Sequence, residues 1–119
     1  MTRLDLSTKS ILFIGYGAVA KCTWNHFDRY FIYDPNRIYA VDQFEEAFTG
    51  PNVHLLRKKV RVVNEYTFDP LLQEIGLKEG DVIIDLLYDS CTYFFIKRCL
   101  ERGIHYMNTS IEDKSDVMK

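Results

Sequence analysis

The chain has 119 residues, and its 15 Lys+Arg against 17 Asp+Glu leave a formal net charge of −2 with the signs well mixed. That is one domain's length, and a hydrophobic share of 47% with 8 Phe and 8 Tyr supplies a packed core and excludes a disordered polypeptide. No apolar run reaches the ~20 residues of a membrane-spanning helix and no signal-peptide core is visible, so a soluble cytoplasmic protein without a membrane partner is expected. The near-neutral balance argues against nucleic acid as a partner, because such binding works through phosphate neutralisation.

The first element is a short apolar strand over 10–14, which runs directly into Gly15-Tyr16-Gly17-Ala18-Val19-Ala20. A helix follows, with Ala20, Trp24, Phe27 and Phe31 spaced as one buried stripe until Asp34-Pro35-Asn36 breaks it. Residues 37–41 read as a second strand ending at Asp42, residues 43–51 as a loop, and residues 60–63 as a third strand. Asp69-Pro70 is expected to open a helix, Asp as cap and Pro at the first position, with Leu71, Leu72 and Ile75 inward and Gly76 as the stop.

A fourth strand is expected over 81–87, apolar enough for the centre of a parallel sheet. Ser90 then caps a helix carrying Phe95, Ile96, Cys99 and Leu100, closed by Gly103, and residues 104–108 form a fifth strand. The order β-α-β-β-α-β-α-β predicts an α/β fold: a Rossmann-like, doubly wound parallel sheet of about five strands in three αβα layers. Residues 1–112 form this domain and 113–119 a charged tail.

The glycine turn has a chemical use. Gly15 permits a tight turn, Gly17 lets a pyrophosphate approach the backbone, and Ala20 keeps the helix close to the strand, while free amides at the helix start form an anion site. Asp42, at the end of the second strand, stands where a carboxylate meets the adenosine ribose. Gln43, Phe44, Glu45 and Glu46 follow with no arginine to hold a 2′-phosphate, which favours NAD over NADP. Cys22, Cys91 and Cys99 read as buried small hydrophobes, and the scattered His26, His54 and His105 show no metal-ligand spacing. Arg57, Lys58, Lys59 and Arg61 read as the solvated border of an edge strand.

Two later segments carry a resemblance: Gly80-Asp81-Val82-Ile83-Ile84-Asp85-Leu86-Leu87-Tyr88-Asp89-Ser90 and Gly103-Ile104-His105-Tyr106-Met107-Asn108-Thr109-Ser110-Ile111-Glu112. With the glycine turn and Asp42 in register, the chain resembles the amino-terminal NAD-binding portion of the homospermidine synthase and saccharopine dehydrogenase-like family. The resemblance implies an NAD-dependent aminobutyl transfer between putrescine molecules in polyamine biosynthesis. It places Gly15, Gly17, Ala18 and Val19 at the pyrophosphate, with Tyr16 among the cofactor-binding residues, Asp42 at the ribose, and Leu87, Tyr88 and Asp89 on the nicotinamide side. Asn108, Thr109 and Ser110 fall on the same edge, and Glu112 matches the glutamate that faces the substrate amines as the catalytic residue.

The family's chain is much longer, so this one is expected to be inactive without a further carboxyl-terminal portion or partner chain. A bare fifth strand suggests self-association into a homo-oligomer. Three other readings stay open: a nucleotide-sensing regulatory domain of a transport protein, an S-adenosylmethionine site, and a degenerate remnant that binds nothing.

Overall fold

The computed structural model describes residues 2–87 and 91–108. Its centre is a five-stranded, all-parallel sheet of β2 (Ile11–Ile14), β4 (Ile38–Asp42), β5 (Arg57–Val60), β6 (Val82–Asp85) and β7 (His105–Asn108), in the spatial order β5-β4-β2-β6-β7. The first of these five strands in sequence is thus the central one. The chain runs outward to β5, then crosses back to β6 and β7, so the strand order reverses beside β2. In register, Ile14 faces Val41 on one side and Asp85 on the other, which aligns the carboxyl ends of the three inner strands.

Alternation along β2 divides the core between two faces. Leu12 and Ile14 join Val41 and Ile83 beneath α3 (Phe68–Ile75) and α4 (Thr92–Arg102), with Phe68, Leu72 and Phe95 fully buried. Ile11 and Phe13 join Ile38 and Ala40 beneath α1 (Ala18–Asn25) and α2 (Phe27–Tyr30). The expected three layers are therefore present. Asp69 fastens the two helices of the first face together, with Arg98 at 2.8 Å and Arg102 at 3.2 Å.

Several local expectations are corrected. The first helix ends at Asn25, and α2 is a separate turn, so Phe31 is not on a helix. Phe31 instead begins β3 (Phe31–Ile32), which pairs in parallel with β1 (Leu4–Asp5) as a small second sheet. The spacing was misleading because Phe31 still packs on Phe27, at 4.6 Å between ring centroids, from a strand.

The third strand lies at Arg57–Val60, earlier than the valine-rich 60–63. As an edge strand it pairs on one side only, with Tyr39–Asp42, and no apolar run marks it. The α3 helix starts at Phe68 with Thr67 in the cap position, and it is Asn64 Oδ1 that accepts from the Tyr66 and Thr67 amides. Asp69 is left free for the arginines. The α4 cap position is Cys91; Ser90 lies outside the described residues. Cys22 is exposed, Cys91 half-buried and Cys99 buried, so the reading as interior hydrophobes holds fully only for Cys99.

Phe68 is inaccessible and stacks on Phe95 at 4.2 Å and 17°. Phe68→Ala is expected to lower the unfolding free energy by about 3–5 kcal/mol in urea titration. Leu100→Ala, at a residue 75% exposed on α4, should change it by less than about 0.5 kcal/mol.

Candidate dinucleotide site

The site begins where β2 leaves the sheet. The Ile14 carbonyl accepts from Leu86 N at 2.8 Å, and Gly15 N donates to the Val41 carbonyl at 2.8 Å, so both neighbouring strands hold the turn. Gly15 has φ +89°, and a Cβ there would lie 3.0 Å from Leu87 Cδ2. The positive φ calls for glycine, and the Leu87 side chain would have to give by a few tenths of an ångström to admit a Cβ. The next residue turns inward: the Tyr16 side chain is wholly buried and stacks on Phe48 at 5.5 Å.

Gly17 occupies the cap position of α1, and a Cβ there would meet nothing within 4 Å. Gly17, Ala18 and Val19 are exposed, and no side chain caps the helix and no acid lies in its first turn. The first amides of α1 therefore point into open space with the positive end of the helix dipole behind them. An anion such as a pyrophosphate suits this cradle.

Asp42 ties the turn to the next strand. Its Oδ2 accepts from Tyr16 N at 2.9 Å and its Oδ1 from Phe44 N at 3.0 Å. A carboxylate offers about four acceptor directions, so two remain for ribose hydroxyls. The segment after Asp42 is pinned rather than loose: Lys21 Nζ donates to Thr49 Oγ1 at 2.9 Å, Lys58 pairs with Glu45, and Trp24 Nε1 donates to the Asn52 carbonyl at 2.8 Å.

Between this segment and the chain beyond β5 lies a crevice of about 300 Å³, with Asp42, Gln43 and Phe44 on one wall, Arg61, Val62 and Val63 on the other, and Ile14, Val41 and Leu87 between. Apolar walls with one anchoring carboxylate suit a flat heterocycle attached to a ribose. Residues 43–46 bring no arginine to this crevice; Arg61 arrives from the chain just after β5.

The other flank of the glycine turn is built on Asp85, at the end of β6. This carboxylate is inaccessible. Its Oδ1 accepts from Leu87 N at 3.1 Å; its Oδ2 accepts from Asn108 Nδ2 at 3.0 Å and from the Tyr106 hydroxyl. Asp85 thus joins two of the expected site residues, Leu87 and Asn108, at one edge. An acid within an apolar strand, facing Tyr and Asn at alternate positions of the next, was the available signal. Tyr88, Asp89, Thr109, Ser110 and Glu112 lie outside the described residues.

Other chemistry is weaker. Burial pushes the Cys99 thiol up to about 12, which leaves it without nucleophilic thiolate near neutrality. Among the described residues no group of three His, Cys, Asp or Glu side chains could hold a metal ion, and no helix is long and apolar enough to cross a membrane. A larger, apolar depression of about 440 Å³ runs along α4 and β7, lined by Ile96, Leu100 and His105 among others. Neither the glycine turn nor Asp42 lines it.

The Tyr16 hydroxyl is buried without a hydrogen-bond partner among the described residues, and burial raises its pKa. Tyr16→Phe removes that hydroxyl and keeps the ring, so it should leave stability unchanged or raise it by about 1 kcal/mol in urea titration. A loss beyond about 1 kcal/mol would show that the hydroxyl is satisfied in solution.

The homospermidine synthase of Legionella pneumophila, solved in complex with NAD, has the same fold: TM-score 0.67 at 18% identity, over 89% of this chain and 23% of that one. The chain thus spans under a quarter of that synthase. No curated protein sequence matches the chain. The family described as the saccharopine dehydrogenase NADP binding domain matches residues 11–118, nearly the whole length. This description agrees with the nicotinamide dinucleotide expected from the glycine turn, and the chain belongs to that family.

Proposed function

We propose that this chain is an NAD-binding module allied to the amino-terminal part of homospermidine synthase. The observation that carries the reading is the Asp42 carboxylate, bonded to the amide of Tyr16 within the glycine turn and open to the crevice beside it. That arrangement stands at the reversal of strand order, outside the carboxyl ends of a parallel sheet, where such folds bind ligands.

In this reading each part of the edge has one task. The uncapped start of α1 binds the pyrophosphate, with Gly17 allowing close approach. Asp42 accepts from the ribose hydroxyls of the adenosine half, and its negative charge opposes a 2′-phosphate, which favours NAD over NADP. Leu87, held by Asp85, forms the wall on the nicotinamide side. NAD bound there supplies hydride acceptance and return.

The substrate class we propose is a diamine such as putrescine, which the family likeness suggests and for which Glu112 is the candidate anionic partner. Hydride chemistry needs a second wall to hold the substrate and exclude water. That wall is expected from further sequence or a partner chain, consistent with the chain spanning 23% of the synthase.

Calorimetric titration of the folded chain with NAD, beside S-adenosylmethionine, tests the reading. NAD should bind, and Asp42→Ala should weaken it about tenfold or more, the worth of hydrogen bonds to a charged acceptor. No binding of NAD by the folded chain, or binding of S-adenosylmethionine in its place, would contradict the proposal.

A further inference from the structure

Arg61 lies immediately after the edge strand β5, and its backbone amide donates to the Asp42 carbonyl at 3.0 Å. Its residue is therefore a strand neighbour of the carboxylate assigned to the ribose, and it lines the same crevice as Gln43. A guanidinium there could grip a 2′-phosphate with paired N–H donors, the feature by which NADP differs from NAD.

The side chain is directed elsewhere. Arg61 Nη2 donates to both carboxylate oxygens of Glu74, each at 3.1 Å, and Nη1 donates to the Val60 carbonyl at 3.0 Å. Glu74 belongs to α3, and it also takes Lys59 Nζ at 2.9 Å. The other two cations of the basic run are engaged as well, Lys58 with Glu45 and Arg57 over the Tyr39 ring at 5.8 Å. Lys59 and then Arg61 hold the Glu74 carboxyl below the usual carboxylate range, so it stays ionised across neutral pH.

We propose that Glu74 is a specificity-determining residue for the dinucleotide: by holding Arg61 on the α3 side, it denies the adenosine 2′-position a cation and leaves Asp42 to select the unphosphorylated ribose. The inference rests on the NAD-binding reading above. Glu74 does not touch the dinucleotide; it acts through Arg61. Replacing it with a neutral side chain releases a guanidinium one strand away from the ribose.

The test compares Kd values for NAD and NADP, and for AMP and adenosine 2′,5′-bisphosphate, in the wild type, Glu74→Gln, and Glu74→Gln with Arg61→Gln, all shown folded by circular dichroism. Glu74→Gln should tighten the two 2′-phosphorylated ligands about three- to tenfold relative to their counterparts, as one exposed charge contact allows, while NAD stays within about twofold. The gain should shrink as salt is raised, and Arg61→Gln should abolish it. An unchanged ratio in Glu74→Gln, a gain that survives loss of Arg61, or a wild type that binds NADP as tightly as NAD would each overturn the inference while leaving dinucleotide binding intact. Failure of the folded wild type to bind any of the four ligands would instead remove the NAD reading, and the inference with it.

Discussion

The carboxyl edge of this sheet depends on the passage of the chain through Gly15. β2 is the central strand, so its exit lies between β4 and the turn after β6, with Leu87 Cδ2 3.0 Å from where a Cβ would be. A side chain there would strain the backbone at its positive φ and press on the Leu87 side chain. Because Gly15 fits, Tyr16 can drop into the core and direct its amide at Asp42, and Gly17 can start α1 with its amides outward. The outward amides of α1 and the placement of Asp42 beside the turn are thus consequences of one close crossing.

Two inaccessible aspartates on either side of β6 show why position at the sheet decides function. Asp81, just before the strand, accepts from Ser10 N and Lys78 N, each at 2.9 Å, and so anchors the amino edge. Asp85, at the strand's end, does the same kind of work with Leu87 N and Asn108 Nδ2. Both satisfy amides that burial would otherwise leave costly. Only Asp85 does so beside the glycine turn, where the loops of a doubly wound sheet meet a ligand.

The layer order, the glycine turn, the acid at the end of β4 and the stops at Gly76 and Gly103 were legible because each rests on local chemistry: an apolar run, a residue that tolerates positive φ, a carboxylate at a strand end. What escaped the sequence was decided by tertiary pairing. Phe31 keeps helical spacing yet pairs with Leu4 across a parallel bridge. β5 shows a charged run because its backbone pairs with β4 while its side chains lie at the exposed edge, in ion pairs with Glu45 and Glu74. Arg61 was read as edge solvation, and its nearness to Asp42 exists only once β4 and β5 are side by side. Asp85 shows its hydrogen-bonding role only when the β6–β7 register sets Asn108 opposite it and Tyr106 two residues before.

The central claim is that the turn from Gly15 to Val19 and the strand end at Asp42 form one dinucleotide site. The most direct measurement is the amide ¹H–¹⁵N spectrum of the folded chain as NAD is added. The account predicts shifts concentrated at Tyr16, Gly17, Ala18, Val19 and Phe44, with α4 and the amino edge around Asp81 unmoved. Shifts centred on the depression between α4 and β7, or none at saturating NAD, would contradict it.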